Sequence, residues 1–302
     1  MTVAALASPE DGYRLQGILE SLGAAGIDAY GLKIHPRWSE LNPDKLFARF
    51  GKASHYLLVA SPSSLGSAWL YFSAGFGYGK GFGIALYRVD PGIGMPRILG
   101  NLPVLDSLDE LATYFSVEKN EWLALESRRQ ARSSLLEMGI SCHDDSLAQC
   151  VSEGDTKAVS LFIDAGFNPD TRDRRGVPLL CLATRGSHLA VAELLLDRGA
   201  SLDLQSEDRG YSALMDAAQA GAVELVKLFL SRGADPNLAS KDAQTALIVA
   251  VGRNDAEISR LLLDGGGDPD IVDKLGLSAR KYAALFKNPA IVGLIDTRPP
   301  RA

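Results

Sequence analysis

Cysteine is scarce, with Cys142, Cys150 and Cys181 the only three in 302 residues, and their spacing matches no metal-binding motif. That odd, dispersed set excludes a disulfide framework and a structural zinc site. Histidine is nearly as rare: the four are scattered singly, and none pairs with another at ligand spacing, so no metal centre is expected. An excess of positive charge is also missing. Against 31 Lys and Arg stand 37 Asp and Glu, a net charge of −6, which argues against nucleic acid or an anionic membrane as the main partner. No apolar run is long enough to span a bilayer: the nearest, Leu70 to Val89, is broken by Lys80 and by five glycines between Gly75 and Gly83. The N-terminus, MTVAALASPEDG, lacks the basic and then apolar pattern of a secretory signal. The expectation is a reduced, cytoplasmic protein.

What is present is a globular composition, 46% apolar and 23% charged, in a chain long enough for two domains. The C-terminal half repeats itself. The segments AGFNPDTRD, RGASLDLQSED, RGADPNLASKD and GGGDPDIVDK each follow an apolar run, and their glycines (Gly166, Gly199, Gly233, Gly266) recur at intervals of 33, 34 and 33 residues. Upstream of these, VPLLCLATRGSHLAVAELLL, SALMDAAQAGAVELVKLFL and TALIVAVGRNDAEISRLLL stand in register. In the clearest unit a short helix over 213–220 turns at Gly221. A second helix over 223–231 carries Val223, Val226, Phe229 and Leu230 at helical spacing and ends at Gly233. A unit with two apolar faces cannot bury both alone, so a stacked solenoid is expected.

This pattern resembles the ankyrin repeat over residues 145–298: three full repeats between a first unit (Ser146–Asp173) without the T-P-L-H box and a degenerate last one (Leu275–Asp296). The resemblance implies protein binding through the hairpin tips and the exposed positions of the first helices. By register the tips are Arg174, Arg175, Arg209, Lys241, Asp242 and Lys274. The first-helix positions are Thr184, Arg185, Asp216, Gln219, Val249 and Arg253. Taken singly, each could be no more than a solvated polar residue of a spacer. As a row, the basic tips suggest an acidic partner.

Residues 1–117 show no repeat and alternate strand with helix. Strands are expected at TVAALA, 28–34, HYLLVA, GIALYRV and LPVL, and helices at 12–23, 43–50 and 65–79. Ser107, with Glu110 three positions on, opens a final helix as in a capping box. The alternation implies an open parallel sheet covered on both faces. Ligands of such sheets sit beyond the carboxyl ends of the strands, here at Ser8–Asp11 and Ser61–Ser67. Helix capping by Ser8 or Ser64 accounts for those hydroxyls equally well. The glycine run GFGYGKGFG matches neither phosphate-loop spacing, and Gly75 and Gly79 are expected to let their helix approach the sheet. Residues 118–144 read as a connecting helix containing Trp122, with no flexible linker.

In VASPSSLGSAWLYFSAGFGYGKG a hydrophobic strand, S-P-S-S, S-x-W and a helix of small residues follow one another, an order that resembles the Toll/interleukin-1 receptor (TIR) domain. The resemblance spans residues 3–117, and a plain flavodoxin-like fold is its competitor. It implies an assembly role for the loop containing Pro36 and Trp38. It also implies a nucleotide crevice at Ser8, Asp11, Ser61, Ser64, Ser67, Trp69 and Ser73, with NAD or a related nucleotide as ligand. Enzymes of that family carry a glutamate four residues after the tryptophan as catalytic acid. Here that position, counted from Trp69, is Ser73. Three readings follow: a recognition and signalling protein without a catalytic residue or cofactor, able to self-associate through the TIR-like half; an NAD or nucleotide glycohydrolase or transferase using Asp11; or a nucleotide sensor that binds without turnover.

Overall fold

In the computed structural model, which describes residues 1–34 and 50–298, the apolar runs of the N-terminal half become five parallel strands. They are β1 (Thr2–Ala7), β2 (Asp28–Lys33), β3 (His55–Ala60), β4 (Gly83–Arg88) and β5 (Val104–Leu105), in the order β2-β1-β3-β4-β5. β3 is buried along its whole length, which is why HYLLVA reads as a continuous apolar run instead of an alternating one. One sheet face carries Val3, Ala5, Leu57 and Val59 against Leu15, Ile18, Leu111 and Phe115. The other carries Ala4, Leu6, Tyr56 and Leu58 against Phe50, Trp69 and Leu70. The first set of covering residues comes mainly from α1 (Arg14–Ala24) and α4 (Leu108–Glu137), and the second from α3 (Ala68–Gly79), which follows the single turn α2 (Pro62–Leu65).

Four expectations need correction here. The helix expected over 65–79 is two, because Ser61 caps Pro62–Leu65 and the chain restarts at Ala68. The final and connecting helices are one 30-residue helix, α4, since no glycine or proline interrupts 108–137. Its start is capped by Ser107 Oγ, which accepts from the Glu110 amide, but Glu110 reaches back to the Asp106 amide, one residue earlier than a capping box requires. The close-packed glycine is Gly77, not Gly75 or Gly79. A Cβ on Gly77 would lie 2.9 Å from Tyr56 Cδ2 and 3.0 Å from Ile84 Cδ1, whereas the other two have nothing within 4 Å. Pro36, Trp38 and most of the helix expected over 43–50 lie outside the described residues.

The chain divides into two units, 1–126 and 127–302, with the division inside α4. Among the described residues the second unit contains five helix pairs. They are α5 (Asp144–Glu153) with α6 (Thr156–Asp164), α7 (Leu179–Arg185) with α8 (Leu189–Asp197), and α9 (Ala213–Ala220) with α10 (Val223–Ser231). α11 (Ala246–Gly252) with α12 (Ala256–Asp264) and α13 (Ala279–Phe286) with α14 (Pro289–Asp296) complete the stack. Ser212, Thr245 and Ser278 each cap a first helix by accepting from the amide three residues on, and Asp155 and Asp255 do the same for second helices. The periodic glycines Gly166, Gly199, Gly233 and Gly266 have φ between 87° and 93°, a region that side-chain-bearing residues avoid. One continuous core runs through the stack, from Leu135 to Ile295. Ion pairs link successive second helices at a spacing of 34 or 35 residues: Arg198 to Asp164, Arg232 to Asp197, and Arg298 to Asp264.

Candidate functional site

The face of the stack formed by hairpin tips and first helices is polar but largely self-paired. Arg174 donates from Nε to both oxygens of Asp145 (2.9 Å each) and from Nη2 to the same carboxylate. Arg175 meets Asp173 at 3.3 Å, Lys274 meets Asp242 at 3.7 Å, and Lys241 Nζ donates to the Glu207 carbonyl. Arg174, Arg175 and Lys274 of the expected basic row are therefore paired with acids in the same or the neighbouring repeat, and Lys241 with a main-chain carbonyl. Asp173 and Asp273 also hold their turns, accepting from the amides two and four residues on.

Three first-helix positions expected to be exposed are buried: Thr184, Asp216 and Val249. Thr184 turns its hydroxyl inward, donating to the Leu180 carbonyl at 2.7 Å. Val249 belongs to the continuous core. Asp216 is covered by its neighbours. Its Oδ2 accepts from Arg185 Nε (2.9 Å) and its Oδ1 from Arg209 Nη2 (2.8 Å), leaving the side chain 1% exposed. Arg185 also donates from Nη1 and Nη2 to Asp208 (2.8 and 3.1 Å) and from Nη2 to Ser206 Oγ (3.2 Å). Arg209 lies over the Tyr211 ring, its Cζ 4.6 Å from the centroid. Burial pushes the Asp216 carboxyl above the usual carboxylate range despite its two guanidinium partners, while the hydrogen bonds from Arg185 hold Asp208 well below it. Gln219 and Arg253 are exposed as expected. Asp208, Ser206 and Tyr211 were not singled out in the sequence. The signal was Asp208 lying beside a tip and facing Arg185 one repeat earlier.

At the carboxyl ends of β1 and β3, where the strand order reverses, Asp11 gathers the hydroxyls. Its Oδ2 accepts from Ser8 Oγ and Ser61 Oγ (2.6 Å each) and from Ser63 Oγ (3.4 Å). Arg14 Nε, buried and without a hydrogen-bond partner among the described residues, is 4.0 Å from Asp11 Oδ1. Ser8 does not cap α1: it closes a turn, accepting from the Asp11 amide at 3.2 Å. The N-cap is Ser61, not Ser64, the two bonding reciprocally at 2.8 and 3.2 Å. Ser67 Oγ donates instead to the Ser63 carbonyl. Trp69, Ser73 and Gly77, at intervals of four, are all buried on one stripe of α3, the stripe that meets the sheet at Gly77. The structure thus joins Ser8, Asp11 and Ser61, and places Ser73 in packing. A groove of about 600 Å³ lies between α1 and β2, lined by Gly12, Leu15, Leu19, Gly31 and Lys33, and none of the crevice residues lines it. Among the described residues no group of His, Cys, Asp and Glu could hold a metal ion, and no helix is long and apolar enough to cross a membrane.

Comparison with known proteins agrees with this geometry. The family model "Ankyrin repeats (3 copies)" matches residues 147–240 and 215–296. The chain is 36% identical over 285 residues to the "Putative ankyrin repeat-containing protein" of Treponema pallidum, covering 94% of this chain and 95% of that protein. It is also similar to protein HOS4 of Saccharomyces cerevisiae, 33% identical over 129 residues, which are 42% of this chain and 11% of HOS4. The likeness to the ankyrin repeat and SAM domain-containing protein 6 of Mus musculus is 39% over 87 residues, 28% of this chain and 10% of that protein. The treponemal match runs along both units and the other two cover less than half of this chain. The chain belongs to the ankyrin-repeat proteins.

Proposed function

We propose that this chain is a recognition protein whose ankyrin stack reads a protein target, with the N-terminal α/β unit serving as a non-catalytic assembly and signalling module in the cytoplasm. The observation that carries the first part is the fixed polar face along the tips and first helices, with Gln219 and Arg253 exposed on it. A photo-crosslinker placed at Gln219 or Arg253 in cells should capture a protein target, and one placed at exposed Lys227 on a second helix should not. Equal capture from both faces would overturn the reading.

For the N-terminal unit, the likeness to a TIR domain rests on the sequence motif and is compatible with the five-stranded parallel order. What supports a non-catalytic role is the setting of Ser73. A glutamate there would be a carboxylate on a buried helix stripe, costly to hold ionised. Asp11, the only acid among the crevice residues, already accepts two short hydroxyl bonds. Incubation with NAD should release no nicotinamide above buffer. Turnover abolished by Asp11→Ala would replace this reading with the enzyme one. Self-association through this unit would appear as a mass above that of one chain in light scattering of the isolated protein.

A further inference from the structure

We infer that Arg209 is the anchor of the recognition face and that it takes a carboxylate from an acidic segment of the partner. The inference rests on the recognition reading above and names the chemistry of its partner. It starts from a difference among the basic residues of the face. Arg174 spends both Nε and Nη2 on Asp145, and Arg185 is saturated by Asp208, Asp216 and Ser206. Lys241 is committed to a carbonyl and Lys274 to Asp242. Arg209 combines a side chain held on two sides with Nε and Nη1 donors that meet no acceptor among the described residues. Its Nη2 is tied to buried Asp216 at 2.8 Å and its plane lies against Tyr211, a buried ring held by the bond from its own hydroxyl to Gln244 Oε1 at 3.0 Å. The backbone is pinned as well: the Arg209 amide donates to Asp208 Oδ1 (2.7 Å), and its carbonyl accepts from the Lys241 amide (3.1 Å).

The side chain is nonetheless 46% exposed, and its Nε and Nη1 hydrogens meet no acceptor among the described residues. A guanidinium already held in one orientation loses little rotamer freedom on binding, and the second Nη2 hydrogen, paired with that of Nε or Nη1, can give a carboxylate two parallel bonds. Arginine is among the residue types enriched at the positions that dominate interface energetics. The charge around the fork selects the partner. Asp208 and Asp216 flank it, so a dianionic phosphate meets more repulsion than a single carboxylate does. The occupant is therefore an aspartate or glutamate side chain on a protein segment.

A random-peptide display selection against the immobilised full chain tests this. The selected peptides should share an aspartate or glutamate at one position. In fluorescence anisotropy, Arg209→Ala should weaken a selected peptide by about tenfold or more. Arg209→Lys, which keeps the charge but not the fork, should fall between wild type and alanine. Replacing the peptide's acid by its amide should cost as much as Arg209→Ala, with no further loss when the two are combined, and the amide arm needs no protein variant to fold. Circular dichroism should be unchanged in Arg209→Ala, since Asp216 keeps Arg185. Peptides without a shared acid, or acidic peptides that bind Arg209→Ala as tightly as wild type, overturn the anchor assignment alone. A selection that yields no binder overturns the recognition reading itself.

Discussion

Removing Asp216 should cost the stack about 2–3 kcal/mol, and the structure says why the figure is not larger. Breaking a fully buried ion pair by deleting one partner typically costs about 3–5 kcal/mol, because a charge is left in a dry site. Here the carboxylate is 1% exposed but its partners are not so deep: the side chains of Arg185 and Arg209 are 23% and 46% exposed. In Asp216→Ala, Arg209 can rehydrate, and Arg185 keeps its bonds to Asp208 and Ser206. The loss is then two charge-assisted hydrogen bonds, each worth about 1.5–3 kcal/mol, offset by relief of the carboxylate's own desolvation. Urea denaturation of the full chain followed by circular dichroism gives the total. Hydrogen exchange should place the lost protection in α7 to α10 and leave α13 and α14 unchanged, since repeats couple mainly to their neighbours. A cost below about 1 kcal/mol, or loss spread evenly along the stack, would refute this account of the pair of arginines.

The same cluster has a signed pH dependence. Asp216 has a folded pKa above its ordinary 3.8, so the fold holds its proton better than the unfolded chain does, and acidification through that window relieves its burial. Asp208 is displaced the other way. Its contribution is present above 3.8 and is lost as pH falls toward its depressed folded value. On account of this cluster, stability of the second unit should therefore rise as pH falls through the Asp216 window above 3.8 and decline below 3.8 as Asp208 takes up its proton. Asp208→Asn should remove that decline.

Three further outcomes follow from single positions. Burial depresses the His55 imidazole more than Glu118, 3.4 Å away, raises it, so the neutral ring is favoured by the fold. Its share of stability is lost as pH falls below the ordinary 6.5, and His55→Gln should flatten the urea midpoint of the N-terminal unit between pH 7 and 5. Gly77→Ala should destabilise by about 1–3 kcal/mol through overpacking, whereas Gly75→Ala should be neutral or stabilise by up to about 1 kcal/mol; equal effects in thermal melts would remove the close approach of α3. At the hairpin tips Gly176, Gly210 and Gly276 have φ near 70°, and Ala243 takes the corresponding place at φ 58°. Ala243→Gly should raise stability by about 0.5–1 kcal/mol, and a lowered urea midpoint would show that the alanine is not strained.

The fold was legible where one cause dominated. A 33-residue glycine period, with a capping Ser or Thr before three of the five first helices, leaves the chain few alternatives, and the boundaries 213–220 and 223–231 read from the sequence are those of α9 and α10. The N-terminal strands were visible because a covered parallel sheet needs uninterrupted apolar runs. Less legible was anything set by a choice among equal local signals. Gly75, Gly77 and Gly79 are interchangeable in sequence, and only the phase of α3 against Tyr56 and Ile84 picks out Gly77. Ser8 and Ser64 each looked like caps, yet the helix start at Arg14 lies too far along for Ser8, and the Pro62 turn gave the cap to Ser61.

The face of the stack shows why site residues were harder to read than the fold that carries them. Register correctly assigns Asp216 to a first helix, but its exposure is decided by side chains from elsewhere in the sequence: Arg185, 31 residues earlier, and Arg209, seven earlier on the preceding tip. The same holds for charge. Arg174 looked like a free cation until Asp145, 29 residues away, was placed beside it by the stacking of one repeat on the next. In a solenoid, therefore, the informative distance for a polar residue is one repeat length as well as its nearest neighbours. Scanning for opposite charges about 29 to 35 positions apart brings out Arg174 with Asp145, Arg185 with Asp216, Arg198 with Asp164, and Arg232 with Asp197. For Arg209 the scan offers Asp242, 33 positions on, but that acid pairs with Lys274, and the acid that holds Arg209, Asp216, lies within its own repeat. For that reason it still presents donors outward after the neighbouring repeats have docked.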